Sequence, residues 1–245
     1  MKGDCFMKTK SIFIVMLLAV SMFFVGCKKE SKGLTRVTYY PVITLEGDNV
    51  VVIERGEEYV EPGFTCTMGE DDVTDQVTVS GEVDSNECGF YTITYTSPNN
   101  ADGFGASTSR TVVVHVSDPL EGSTFAVVAP SLRNYNGNEV AYDKGDGAVY
   151  TSTISYCMGD GVYVVDDMFG GWYSQRAGYG ANYNMEGYIH INDDNTIELI
   201  DSHVAGWGDS LDYLEEGTFD PETGVLHWKV GYAGVMFFDI TFQKQ

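Results

Sequence analysis

The chain has 245 residues, with 36 acidic against 14 basic side chains and a formal net charge of −22. That sign repels phosphate backbones, so nucleic-acid binding is disfavoured, whereas neutral ligands, cations and high solubility are compatible with it. The 13% aromatic content and 28 glycines describe a folded, turn-rich body and exclude a disordered one.

At the N-terminus, Lys8 and Lys10 precede an apolar run from Ile12 to Val25 that only Ser21 interrupts. The run is shorter than the roughly 20 residues of a membrane-spanning helix and has the length of a signal-peptide core. It ends in Phe24-Val25-Gly26-Cys27. This resembles a lipobox, in which a small residue precedes a cysteine that is lipidated on sulfur and becomes the mature N-terminus. Phe24 stands where the usual pattern has leucine. The expectation is a lipoprotein signal peptide over 1–26, lipidation at Cys27, and a polar tether over 27–40; an ordinary signal peptide with an incidental cysteine is the alternative. Each acyl CH₂ buried in a bilayer contributes about 0.8 kcal/mol, so two or three chains anchor a protein almost permanently. No Asp follows Cys27, so nothing there signals inner-membrane retention. Lys28-Lys29-Glu30 resembles in part the charged export signal of Bacteroidota surface lipoproteins. The expected location is the outer membrane, at the cell surface.

Removing the leader with its three lysines and one aspartate leaves 219 residues, 11 basic and 35 acidic, at a net charge of −24. That length holds one large or two modest domains. Cys66, Cys88 and Cys157 remain beside the anchor. Outside the cytoplasm a Cys66–Cys88 disulfide is compatible with their placement, as are two free thiols, while the apolar neighbours of Cys157 predict a buried thiol. No CxxC occurs, so no structural zinc site is expected.

From Pro41 onward the period is two, the spacing of strands. Tyr91-Thr92-Ile93-Thr94-Tyr95-Thr96 alternates aromatic or aliphatic residues with threonine, and Val112, Val114 and Val116 alternate behind Arg110. About seven short strands punctuated by turns predict a β-sandwich over 41–117. In order, Pro41-Val42-Ile43-Thr44-Leu45, Glu61-Pro62-Gly63-Phe64, Asp72-Val73-Thr74-Asp75, Gly89–Tyr95 and Arg110–Val114 resemble the immunoglobulin-like domain of bacterial surface proteins, the type also found in pesticidal crystal toxins. That resemblance implies a spacer or adhesive module. Cys66 and Cys88 occupy positions where the family usually has small residues or proline. Glu70-Asp71-Asp72 partly matches the family's acidic loop without its Asp-Gly pair. Clustered carboxylates there suit Ca²⁺, which takes six to eight oxygens; a solvated acidic turn is the alternative, and no other cofactor is expected.

Ser117-Asp118-Pro119-Leu120-Glu121-Gly122 reads as the boundary, and a second all-β domain, sandwich or barrel, is expected over 121–245. Leu226, Trp228, Val230 and Tyr232 alternate with polar residues, as do Phe238, Ile240 and Phe242, and Asp220-Pro221-Glu222-Thr223-Gly224 is a hairpin turn. Phe169-Gly170-Gly171-Trp172-Tyr173, Gly178–Tyr183 and Gly206-Trp207-Gly208-Asp209-Ser210 place aromatics among glycines. A pyranose offers C–H faces that stack on rings and hydroxyls that need paired donors and acceptors. Trp172, Tyr173, Gln175, Tyr179, Asn182, Trp207 and Asp209 supply both, and form the candidate ligand-binding set. The alternative is that Trp172 and Trp207 fill the core. Gly-Trp-Gly-Asp-Ser, Thr223–Trp228 and the Phe-rich last strand resemble the C-terminal half of a family of uncharacterised gut Bacteroidota lipoproteins, which implies a role beside polysaccharide capture and supplies no catalytic residues.

No GxSxG, HExxH, Walker loop or GxGxxG is present. A glycoside hydrolase needs two carboxylates about 5–10 Å apart, and Asp166 with Asp167 is the pair that precedes the Gly-Trp stretch. The expectation is a non-catalytic surface lipoprotein that binds a glycan or a partner protein. A hydrolase using Asp166 or Asp167, or a structural adhesion protein, is the alternative.

Overall fold

The computed structural model describes residues 37–245, and the leader and Cys27 lie outside them. The chain is all-β: an Ig-like sandwich followed by a C-terminal domain whose sheet nearly closes into a barrel.

In the sandwich, β1 (Pro41–Leu45), β3 (Phe64–Met68) and β4 (Asp71–Asp72) form one sheet. Strands β2 (Val50–Glu54), β7 (Ser107–His115), β6 (Gly89–Thr96) and β5 (Thr78–Ser80) form the other, in that order, with β2 parallel to β7. Ile53, Ile93, Tyr95, Val112 and Val114 fill the space between the sheets, which is what period-two alternation specifies. Val113 departs from that pattern, because alternation sends it outward and yet it is fully buried. Its cross-strand neighbour Phe90 meets Tyr156 and Tyr188 at ring distances of 5.7 and 6.3 Å, so this outer face is covered by the C-terminal domain.

Arg110 is fully buried, an expensive place for a charge unless it is paired and hydrogen-bonded, and its Nε has no partner among the described residues. Its guanidinium donates to the carbonyls of Glu46, Asp48 and Gly63 and pairs with Glu61 at 3.3 Å. Glu61 also accepts from the hydroxyls of Tyr59 and Tyr95. Burial pushes the Glu61 carboxyl up, but these hydrogen bonds and the Arg110 charge outweigh it and hold Glu61 below the ordinary range. The Glu61-Pro62-Gly63 and Arg110 motifs are therefore two halves of one buried network.

The Cys66–Cys88 bridge does not form; among the described residues Cys66, Cys88 and Cys157 are free thiols. Phe64, on the same strand as Cys66, packs on Tyr95 at 4.9 Å. Cys88, just before β6, lies seven residues from Tyr95, about 23 Å of extended chain, whereas a disulfide needs Cα atoms within about 7 Å. Asp71 and Asp72 are adjacent on a strand, so their side chains leave opposite faces. Asp72 instead accepts the Thr74 N–H at 2.9 Å. Among the described residues no group of three or more His, Cys, Asp or Glu gathers to hold a metal ion.

The second sheet contains β8 (Thr124–Tyr135), β10 (Thr151–Gly159), β11 (Val162–Val165), β12 (Glu186–Ile191), β13 (Ile197–His203), β14 (Tyr213–Asp220), β15 (Val225–Tyr232) and β16 (Met236–Lys244). Its order is β13-β12-β11-β10-β8-β16-β15-β14, with β9 (Asn138–Ala141) beside β8. A bridge between Thr196 and Thr218 brings the two ends together. The hairpin at Asp220 carries its own cap, since that carboxylate accepts the N–H of Glu222 and the hydroxyl of Thr223.

Inside, Phe125, Phe169, Trp228, Phe238 and Phe242 are each essentially inaccessible. Burying such a ring contributes about 2–3 kcal/mol, so these residues dominate the core. Trp228 also donates its indole N–H to the Met168 carbonyl at 3.0 Å.

Candidate functional site

The loop after β11 decides which aromatics reach the surface. Gly170 and Gly171 take positive φ angles of 57° and 77°, folding the chain back at once. The buried Asp167 carboxylate holds that fold: Oδ1 accepts the N–H groups of Phe169 and Met185, and Oδ2 accepts that of Gly171 and the Ser174 hydroxyl. Burial pushes the Asp167 carboxyl up to about 6 despite these bonds. Asp167 is thus a fully enclosed scaffold group, with no face toward solvent. Asp166, the other half of the expected carboxylate pair, accepts from the Ser152 hydroxyl and the Thr153 N–H.

Two residues of the expected binding set belong to the scaffold as well. Trp172 is only 4% exposed: the turn Trp172–Arg176 directs it inward, where Tyr142 meets it at 4.8 Å and the Arg176 guanidinium covers its face at 4.0 Å. Gln175 is exposed, but its amide is spent on the Thr151 backbone, accepting the N–H at 3.0 Å and donating to the carbonyl at 2.7 Å. The chain spacing that suggested a surface pair instead pins this turn to β10.

The remaining five come together. Trp207 is the centre, 39% exposed, with Tyr173 and Tyr183 each 4.8 Å away and Tyr179 at 6.4 Å. Tyr179 is 56% exposed and stacks on Tyr173 at 6.1 Å with planes 27° apart. Tyr183, which is missing from the set expected from sequence, packs against both Tyr179 and Trp207. Its signal is the same glycine-aromatic run that contains Tyr179. Asp209 accepts the Tyr232 hydroxyl at 2.9 Å, and Tyr232 underlies Trp207 at 6.0 Å. Burial first, then the Asp209 bond and charge, push the Tyr232 hydroxyl well above the ordinary tyrosine value, so it stays a donor. Asn182 is exposed, and its carbonyl accepts the Gly206 N–H at 2.7 Å, locking the two loops together.

These rings offer edge-to-face contacts and partly open faces beside the exposed Asp209 and Asn182. Chemically the surface can stack apolar C–H faces and hydrogen-bond hydroxyls.

The lipoprotein BT2262 from Bacteroides thetaiotaomicron has a crystal structure similar to this chain, with 39% identity, 83% of this chain and 100% of that chain covered, and a TM-score of 0.54. The chain belongs to the BT2262 family. Its residues 43–114 match the Ig-like domain of bacterial surface proteins, and residues 133–244 match a C-terminal-domain family model; neither description names an enzyme. No curated protein matches the chain. Within the BT2262 family fold, the aromatic surface belongs to the C-terminal domain, on the segments after β11 and β13.

Proposed function

We propose that this protein is a non-catalytic lipoprotein of the cell surface, anchored to the outer membrane by lipid on Cys27, whose C-terminal domain binds a glycan on the Trp207 platform. The Ig-like domain is the spacer that holds the platform away from the membrane. The observation that carries this reading is the cluster of Tyr173, Tyr179, Tyr183 and Trp207, with Tyr179 and Trp207 open to solvent. Large aromatics left accessible beside polar groups mark recognition surfaces. The lipoprotein relative and the surface-protein Ig-like match support the setting.

Affinity electrophoresis against soluble plant, fungal and host polysaccharides tests this. At least one should retard the protein, and Trp207→Ala should abolish the retardation while the far-ultraviolet spectrum stays that of the folded β protein. Absence of retardation across the panel rejects the glycan reading.

A further inference from the structure

Beside the platform lies a pocket of about 270 Å³ lined by Asp166, Ala181, Asn184, Glu186, His203 and Ala205. Ala181 and Ala205 flank the Asn182–Gly206 bond that locks the platform loops, so pocket and platform share a wall. Three of the lining residues form a row across the sheet. Glu186 is the cross-strand partner of His203, and Val165 pairs with Gly187, which places Asp166 level with Glu186 on the next strand. Their inward neighbours Val165, Gly187 and Ser202 are buried, so the row faces outward from the barrel.

Like charges side by side on neighbouring strands are destabilising, and this row keeps two. Partial desolvation, with Asp166 adding to it and His203 opposing, holds the Glu186 carboxyl above the ordinary glutamate range. The donors among the pocket's lining side chains are the His203 ring and the Asn184 amide nitrogen, against the acceptors of Asp166, Glu186 and Asn184. Asp166 uses Oδ1 for Ser152 and Thr153, and its other oxygen accepts no hydrogen bond from the described residues. The Asn184 amide oxygen is buried with no partner. No Lys or Arg lines the pocket.

Resting on the glycan-platform reading, we infer that this pocket receives the ammonium group of an amino sugar, so the bound glycan carries a free hexosamine amine. An ammonium brings three donors and one positive charge to a site that offers acceptors and two carboxylates. An acetylated amine brings one donor and no charge. A uronic or sulfated sugar brings a repelled anion.

Isothermal titration with glucosamine tetramer and with its fully N-acetylated counterpart, at about 150 mM salt where long-range attraction is screened, tests the inference. The free-amine tetramer should bind at least tenfold more tightly. Asp166→Asn with Glu186→Gln should remove that preference. The amide oxygen introduced by Asp166→Asn still accepts from Ser152 and Thr153, and Glu186→Gln alone serves if the double variant is unstable. Asp75→Asn with Glu222→Gln, which removes the same charge elsewhere, should retain the preference. Equal binding of the two tetramers overturns the inference, as does a preference that survives in the pocket variant. Absence of binding by either overturns it too. Free-amine binding that is insensitive to Trp207→Ala would instead reject the platform while leaving the pocket standing.

Discussion

The Tyr183 ring lies against the Trp207 indole at 4.8 Å because Gly206 has no side chain to separate them. A Cβ on Gly206 would fall 2.7 Å from the Tyr183 ring and 2.8 Å from the Asn182 carbonyl. Gly206→Ala should therefore displace the platform at a cost of about 1–3 kcal/mol. Glycan retardation should weaken severalfold or more while the far-ultraviolet spectrum stays that of a β protein. Unchanged binding would mean that ring placement is irrelevant.

Arg110 offers a separate test of the Ig-like fold. Arg110→Leu strips the cationic partner from Glu61 and removes the guanidinium donors of the Glu46 and Asp48 carbonyls, while the Gly63 carbonyl keeps the Glu46 N–H. Breaking a buried pair from one side costs about 3–5 kcal/mol. Denaturant unfolding should show a loss of that size in the Ig-like transition, with glycan binding by the C-terminal domain retained.

Asp167 predicts a pH dependence. Its folded value of about 6 stands above the value near 3.9 of an unfolded aspartate. The folded state therefore binds the extra proton between these values, and stability falls as pH rises through that window. The stabilisation is fully present below about pH 4 and gone above about pH 6, a change of roughly 2–3 kcal/mol. Asp167→Asn should remove this component. The variant's melting temperature should fall less with rising pH between 4 and 7 than that of the wild type.

The thiols give a chemical check. Intact mass should be the same with and without reductant, and native alkylation should label the half-buried Cys88 ahead of Cys66 and Cys157, which are buried. Burial also holds all three thiols above the ordinary cysteine range, which slows their reaction.

Much of the fold was legible because period-two alternation reports burial directly, as in Tyr91–Thr96 and Leu226–Tyr232. Val113 was not, because its cross-strand neighbour Phe90 packs on Tyr156 and Tyr188, which are distant in sequence. The platform was legible in part. Tyr173, Tyr179, Asn182, Trp207 and Asp209 converge as the glycine-aromatic spacing suggested. Trp172 and Gln175 do not, since their fate depends on the left-handed pair Gly170-Gly171 and on the Asp167 carboxylate that fixes it. The Asp166–Glu186–His203 row was invisible, because strand register alone brings those residues level.

Of the three tryptophans, Trp172 and Trp228 are buried and Trp207 is open, so Trp207 is the indole whose emission a bound ligand would change. Titration with a retarding oligosaccharide should shift the emission to shorter wavelength and protect it from acrylamide quenching, and Trp207→Phe should abolish both changes. An emission spectrum that stays fixed while the oligosaccharide binds, or a change that persists in Trp207→Phe, would contradict a glycan site at Trp207.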